Sequence, residues 1–186
     1  MQSINKLINQ TTELLNETYP IKNLDQILPI AKLCSEASSN ISIISEGYKI
    51  PYGRYLVHKD KLFNIQVDVF SSNYIGRTHN HKTWGCLGVI SGKLIVHDYQ
   101  MSNDKLVKIR SGVLSKGSTS SFLKDSDWHS TETTSIDGQE ISFHIYGDEF
   151  DLDQGFYYED NTGIVHYSRG ELKYFDSIKE YFRDAY

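Results

Sequence analysis

GRTHNHKTWGCLGVISG, residues 76–92, is the most informative segment of this chain of 186 residues. It holds two histidines, His79 and His81, separated by one residue. Residues two apart on a β-strand project from the same face, so both imidazoles can converge on one point. This pair predicts a metal site on a strand. Imidazole suits Fe, Zn, Cu and Ni alike, so the pair by itself does not select the metal.

The sequence on both sides of this segment has the texture of an all-β domain. Short apolar or alternating runs follow one another, separated by Gly, Asn, Asp and Ser. Such spacing predicts an antiparallel sandwich or barrel. The runs are 52–57, 63–70, 86–90, 93–99, 112–114, 120–123, 141–146 and 155–158.

The first 46 residues have helical periodicity instead. Residues 7, 8, 11, 14 and 15 would lie on one face of a first helix, which the Tyr19-Pro20 pair should end. A second helix is predicted over 23–38. We therefore expect one domain, in which a helical segment, 1–46, packs on a barrel, 47–186. Near the C-terminus the pattern predicts a strand and a short closing helix over 177–183.

Composition and charge exclude several classes of function. The formal net charge is -5, from 19 basic and 24 acidic residues, which argues against nucleic acid as a partner. We predict no transmembrane helix, because no apolar run is long enough, and no signal peptide, because the N-terminal residues are polar. The two cysteines, Cys34 and Cys86, suit free thiols in a reducing cytoplasm. We expect a cytoplasmic monomer without a membrane partner.

Two later segments add polar residues at strand spacing. His129 closes the run Asp127-Trp128-His129, and the next strand carries Ser142, His144 and Tyr146. Because these last three are two residues apart, they are predicted to share one face.

These residues together resemble the thiol dioxygenases of the cupin superfamily, typified by cysteine dioxygenase. Residues 76–92 are similar to the first cupin motif, with Cys86 where other cupins have a Glu ligand. Ser142, His144 and Tyr146 match the family's Ser-x-His-x-Tyr motif at the family's interval from His129. The resemblance covers more than half of the chain. It implies a mainly β cupin double-stranded β-helix, an antiparallel jelly-roll barrel, here with N-terminal helices.

The resemblance also implies a cofactor and a covalent modification. The family binds Fe(II) through three neutral histidines, which would be His79, His81 and His129. In cysteine dioxygenases the Cys at the Glu position is able to crosslink to the motif Tyr. Cys86 and Tyr146 would then form a thioether across the metal cavity.

The remaining site residues follow from the same resemblance. His144, held by Ser142, would orient the hydroxyl of Tyr146 rather than bind the metal. An upstream Tyr-x-Arg holds the substrate in the family, and Tyr52-Gly53-Arg54 occupies that place. The guanidinium of Arg54 would grip the substrate carboxylate with two parallel hydrogen bonds.

The implied reaction is the oxidation of L-cysteine by O2 to cysteine sulfinic acid. Tyr55, where cysteine dioxygenases often have Asn, and Gly147-Asp148 after the motif Tyr depart from that pattern. His-x-His-x2-Trp-Gly is more similar to the 3-mercaptopropionate dioxygenase branch, although that branch usually has Gln in place of Arg54. Three alternatives therefore stay open: a dioxygenase for 3-mercaptopropionate or another small thiol, a non-catalytic metal-binding cupin, and a cupin isomerase or hydrolase that uses Zn or Mn.

Overall fold

The structure is a computed structural model that describes residues 1–44, 49–124, 128–134, 138–147, 154–159, 163–168 and 172–185. Two helices come first, α1 (Gln2–Thr18) and α2 (Leu24–Asn40). The strands follow: β1 (Ile41–Ile43), β2 (Gly53–Lys59), β3 (Phe63–Phe70), β4 (His79–Asn80), β5 (Gly85–Ser91), β6 (Lys93–Ser102), β7 (Lys105–Ser115), β8 (Thr119–Phe122), β9 (Trp128–Thr133), β10 (Glu140–Gly147), β11 (Gln154–Glu159), β12 (Gly163–Ser168), β13 (Leu172–Tyr174) and β14 (Phe182–Asp184).

Two six-stranded sheets form the barrel, and the cupin jelly-roll predicted from the sequence is confirmed. We call the sheet with strand order β13-β2-β3-β10-β5-β8 the relay sheet, and the sheet with strand order β12-β11-β4-β9-β6-β7 the ligand sheet. All pairings are antiparallel except that of β13 with β2. In both sheets strands distant in sequence become neighbours, as in the double-stranded β-helix.

Both helices have the predicted local signals. Helix α1 ends at Thr18, before Tyr19-Pro20, and α2 begins after Asn23, whose side chain accepts a hydrogen bond from the Gln26 backbone N–H at 3.2 Å. The described residues contain no helix that is long and apolar enough to cross a membrane.

Helix α2 packs on the outer face of the relay sheet, around β5. Gly88 permits this approach, because a Cβ there would lie 2.6 Å from Ser38 Oγ and 2.7 Å from Cys34 Sγ, both on the helix. The outward residues of β10, such as Phe143 and Ile145, are fully buried in the same core. This helix–sheet core leaves the inner face of the relay sheet available for polar side chains.

The C-terminus differs from the predicted closing helix over 177–183. Two 3-10 turns, Phe175–Ser177 and Lys179–Tyr181, lead into β14, which pairs with β1. Strand pairing prevails because residues 41–43, which the sequence assigned to the helical segment, offer an extended partner. The backbone ladder and the burial of Phe182 outweigh the local helical pattern.

Asp184, on β14, ties this C-terminal strand to helix α1. Its carboxylate accepts hydrogen bonds from the backbone N–H groups of Gln2 at 2.6 Å and Ser3 at 2.9 Å. Burial raises the pKa of Asp184, but the hydrogen bonds from Ser3 and Gln2 outweigh it and hold the pKa below its usual value.

Candidate metal centre

Three histidines converge inside the barrel on the ligand sheet. His79 on β4 is the register partner of His129 on β9, so their side chains share one face. His81 follows β4 directly, and it is buried together with His129. One nitrogen of each ring lies within 4.8 Å of the others. The predicted convergence of His79 and His81 is confirmed, and His129 completes the group.

A hydrogen bond sets the tautomer of His79. Its Nδ1 lies 2.8 Å from the backbone carbonyl oxygen of Arg77. A carbonyl only accepts, so Nδ1 carries the proton and Nε2 keeps its lone pair. Fixing one ring nitrogen on a backbone carbonyl is how proteins orient histidine ligands. The three neutral imidazoles form a donor set that Fe, Zn, Cu or Ni accepts, and within the described residues this group contains no carboxylate.

We call His79, His81 and His129 the triad. Opposite the triad, the relay sheet carries a buried hydrogen-bonded chain of side chains, which we call the relay. Ser142 Oγ lies 2.9 Å from His144 Nε2, and His144 Nδ1 lies 3.0 Å from the Tyr146 hydroxyl. The Tyr146 ring lies 4.9 Å from the His81 ring, between centroids. The relay therefore ends beside the triad, with its phenol nearest.

Asp68 is a member of this cluster that sequence reasoning missed. Its Oδ2 lies 3.6 Å from His144 Nε2, and a carboxylate there stabilises a positive charge on the imidazole. A signal was present in β3, whose sequence FNIQVDVF alternates polar and apolar residues although nearly all of the strand is buried. Asn64, Gln66 and Asp68 are the polar set, which indicates a polar cavity on that face.

Arg54 lies on the same face as the relay. Across the relay sheet it is the register partner of Asp68, which in turn is the partner of Ser142. Two residues further along β2, Leu56 packs against the cluster formed by Phe122 and Tyr146. Arg54 is half-buried.

Tyr52 does not share the partial burial of Arg54. Its side chain is 64% exposed. Strand β2 begins at Gly53, which has φ +152, so the alternation that would place Tyr52 and Arg54 on one face does not reach Tyr52. Tyr52 therefore lies outside the buried face that holds the relay, and its part in a substrate pocket stays a prediction.

Cys86 faces the opposite side of the relay sheet from Tyr146. Its register partner on β10 is Ile145, whereas the partner of Tyr146 is Gly85. The Cys86 thiol is hydrogen-bonded to Cys34 of α2, and this bond, together with burial, raises the pKa of Cys86 well above its usual range. The predicted thioether is therefore wrong, because the residue that faces Tyr146 is Gly85, which has no side chain.

Phe122, on β8, is the second neighbour that the sequence did not reveal. Its ring lies 4.8 Å from His81, stacked at 21°, and 4.9 Å from His129. A strand was predicted over 120–123, but nothing in that run distinguishes a residue beside the histidines from an ordinary core aromatic.

A cavity of about 560 Å³ lies beside the three histidines, since His129 is among its lining residues. Phe122 also lines it, as do Asp98 and Arg110, which form a salt bridge at 2.6 Å. This volume is typical of small-molecule sites in proteins.

The other two histidines whose contacts are described lie outside this site. His58 Nε2 lies 3.0 Å from Asp60 Oδ2, and His97 lies between Ser111 Oγ at 2.7 Å and Glu132 Oε1 at 3.0 Å. Both have local partners away from the three histidines of the candidate metal centre.

The comparisons with known proteins concern the fold. No protein-family model matches the sequence, and no curated protein matches it. KdgF from Halomonas sp. is 14% identical over 59% of this chain and 94% of its own, with a TM-score of 0.44. The cupin domain of Schizosaccharomyces pombe Cnp3 is 9% identical over 55% and 68%, with a TM-score of 0.43.

A structure of DMSP lyases is 15% identical over 46% of this chain, with a TM-score of 0.37, and the chain spans only 38% of its length. At such identities and TM-scores, these likenesses carry no argument about activity. What the topology and the site define is a cupin fold with a group of three histidines able to hold a metal ion.

Proposed function

We propose that this protein is a non-haem Fe(II) thiol dioxygenase that oxidises L-cysteine with O2 to cysteine sulfinic acid. The observation that carries the proposal is the juxtaposition of an all-histidine ligand group with the phenol of a buried Ser142-His144-Tyr146 chain. A module that only binds a ligand has little need for an oriented phenol at its metal site.

The ligand group favours a thiol substrate on charge grounds. Three neutral imidazoles leave the full charge of a divalent ion uncompensated, and a substrate thiolate offsets it. When bound, Fe(II) would supply the redox chemistry that lets a thiol react with O2. In the overall reaction, R–SH + O2 gives R–SO2H, so the O–O bond breaks and both oxygen atoms end on sulfur.

The relay would hold a proton at the edge of this centre. The Tyr146 hydroxyl is hydrogen-bonded to His144 Nδ1. Ser142 and Asp68 lie beside the other ring nitrogen, His144 Nε2. A proton is thereby able to move between phenol and imidazole, with the Asp68 carboxylate stabilising the charged ring. His144 would act as a positioning residue, and Tyr146 as the group that contacts the substrate.

Arg54 would recognise the substrate carboxylate. Its place in register with Asp68 and Ser142 puts it on the inner face of the relay sheet. Loss of a charge-assisted pair should weaken binding by about 1.5–3 kcal/mol, roughly tenfold to a hundredfold. Cysteamine, which lacks the carboxylate, should therefore be a poor substrate, and equal turnover of cysteamine and cysteine would remove Arg54 from the site.

A second candidate substrate, 3-mercaptopropionate, is favoured by Gly85. Gly85, not Cys86, lies opposite Tyr146, so the site does not offer the thioether that the resemblance to cysteine dioxygenase implies. Trp84-Gly85 also belongs to the His-x-His-x2-Trp-Gly pattern that resembles the other branch.

The test is O2 consumption by the iron-loaded protein with a panel of cysteine, 3-mercaptopropionate and cysteamine, with products identified by mass. We expect a sulfinic acid from a carboxylated thiol. If iron binds but no thiol stimulates O2 uptake, the protein is a metal-binding cupin without this activity. If the purified protein holds Zn or Mn and does not bind iron, the result supports the alternative that it is a cupin hydrolase or isomerase.

A further inference from the structure

Asp68 directs one carboxylate oxygen at the relay and leaves the other without a donor. Its Oδ2 lies 3.6 Å from His144 Nε2. Its Oδ1 is shielded from solvent and has no hydrogen-bond partner within the part of the chain that the structure describes. The whole side chain is only 13% exposed. A buried carboxylate oxygen that accepts no hydrogen bond is costly, so Oδ1 marks a position at which a bound molecule can place a donor.

The neighbours of Asp68 on β3 leave this oxygen as it is. Gln66, two residues before Asp68 on the same face, donates from its side-chain amide to Asn64 Oδ1 at 3.3 Å. Phe70, two residues after Asp68, belongs to an apolar cluster, and its ring lies 6.3 Å from the His144 ring. Asp68 therefore brings a negative charge into a part of the barrel that is lined on one side by apolar groups.

A cationic side chain lies next to Asp68 in the sheet. Arg54 on β2 is its register partner, and register partners on antiparallel strands place their Cβ atoms about 4.5–5.5 Å apart on one face. An α-amino acid carries its carboxylate and its ammonium on a single carbon atom. Adjacent cationic and anionic side chains are therefore what binding of both groups requires, and Arg54 and Asp68 form such a pair.

We propose that Asp68 Oδ1 binds the ammonium group of the substrate while Arg54 binds its carboxylate, an inference that rests on the proposed thiol dioxygenase function. It narrows the substrate class to α-amino acid thiols and makes Asp68 a residue that determines specificity. A hydrogen bond from an ammonium to a carboxylate is charge-assisted and stronger than one between neutral groups. 3-Mercaptopropionate is cysteine without the ammonium, so its binding leaves Oδ1 unsatisfied.

The two oxygens of Asp68 have effects that an experiment can separate. Support of the relay through Oδ2 acts on every thiol alike, because it does not involve the group in which the thiols differ. A contact through Oδ1 acts only on thiols that carry an ammonium. The ratio of kcat/KM for cysteine to kcat/KM for 3-mercaptopropionate therefore reports the contact through Oδ1, and the contribution of the relay cancels.

The experiment measures this ratio for the iron-loaded wild type, Asp68→Asn and Asp68→Leu. We expect wild type to prefer cysteine. In Asp68→Asn, which keeps the shape and removes the charge, the ratio should fall roughly tenfold to a hundredfold, and Asp68→Leu should lower it at least as far. Asp60→Asn is the matched control, since this carboxylate in the β2–β3 loop is bound by the backbone N–H groups of Leu62 and Phe63. It should leave the ratio unchanged.

Two results would overturn the proposal. One is an unchanged ratio in an Asp68 variant that still oxidises thiols, even if both substrates react more slowly, because Asp68 would then act on the relay alone. The other is a wild type that oxidises 3-mercaptopropionate as efficiently as cysteine.

Failure of the proposed function has a different signature, because binding can be measured without turnover. Calorimetric titration of the iron-loaded protein in the absence of O2 compares cysteine with 3-mercaptopropionate. If no thiol is oxidised, tighter binding of cysteine by wild type, lost in Asp68→Asn, would still support the ammonium contact. Equal binding of the two thiols by wild type, or binding of neither, would refute it.

Discussion

Replacing Cys86 with serine should lower stability without abolishing the proposed activity. The side chain is fully buried between β5 and α2, with its thiol hydrogen-bonded to that of Cys34, and both cysteines are free thiols. Because its raised pKa keeps the thiol protonated at neutral pH, Cys86 behaves as a small apolar group in the helix–sheet core. A hydroxyl is more polar, and its neighbour there is a weakly hydrogen-bonding sulfur.

The size of the effect follows from this burial. Placing a poorly satisfied hydroxyl in a core costs about 1–3 kcal/mol. For a chain of this length each kcal/mol corresponds to roughly 2–4 °C in Tm. We therefore expect Cys86→Ser to lower the free energy of unfolding by about 1–3 kcal/mol and Cys86→Ala to have a smaller effect, because alanine brings no polar group.

Urea unfolding of the variants measures the loss, and intact-mass spectrometry after turnover checks for a crosslink. The wild-type mass should stay the same after exposure to iron, O2 and thiol. A wild-type mass lower by two hydrogens, restored to normal in Cys86→Ser, would show that the side chain reaches Tyr146. That result would refute the strand register on which the reasoning depends.

Four further predictions address the packing, the acid response and the site. Gly88→Val should destabilise the fold by about 1–3 kcal/mol in urea unfolding because its Cβ would lie 2.6 Å from an α2 side-chain oxygen, whereas Gly112→Ala, with open space around it, should be neutral. The pKa of Asp184 is lowered in the folded protein, so its ionised carboxylate stabilises the fold above the unfolded pKa, and this stabilisation is lost as the pH falls through the folded pKa. Asp184→Asn should therefore make the free energy of unfolding depend less steeply on pH in the acid range. His129→Ala should lose most of the bound metal by elemental analysis, while His97→Ala, on the other face of the ligand sheet, should retain it. Tyr146→Phe should keep the metal and lose turnover in the O2 assay.

Period-two arguments predicted much of the site because they use only local geometry. Ser142, His144 and Tyr146 form one chain, since residues two apart on a strand share a face. His79 and His81 converge as predicted, although His81 lies one residue beyond β4. The barrel was predicted for a similar reason: short alternating runs with turn residues between them have few other arrangements.

The errors arose where a face had to be assigned between strands or beyond a strand end. Cys86 was placed in the cavity because it stands at the Glu position of the cupin motif, but its place on β5 is set by the pairing with β10, which turns it to the other face. Tyr52 was assigned together with Arg54 by the Tyr-x-Arg match, but β2 begins only at Gly53, so strand alternation does not set the face of Tyr52. Register between strands, set by long-range pairing, decides such cases.

Residues that act through long-range neighbours were not predictable from local pattern. Phe122 approaches the histidines only because β8 pairs with β5 at Gly85. The closing strand β14 likewise depends on β1, which is far away in sequence. A single sequence shows that these segments are apolar, but it does not show which strands they pair with.

The most direct test of the central claim is thiol oxidation by the iron-loaded protein under heavy-isotope O2, with the product analysed by mass. The account predicts a sulfinic acid from cysteine or 3-mercaptopropionate in which both oxygen atoms carry the label. The same product should be missing from His129→Ala. A disulfide without label, a product with only one labelled oxygen, or no thiol-dependent product at all would contradict it.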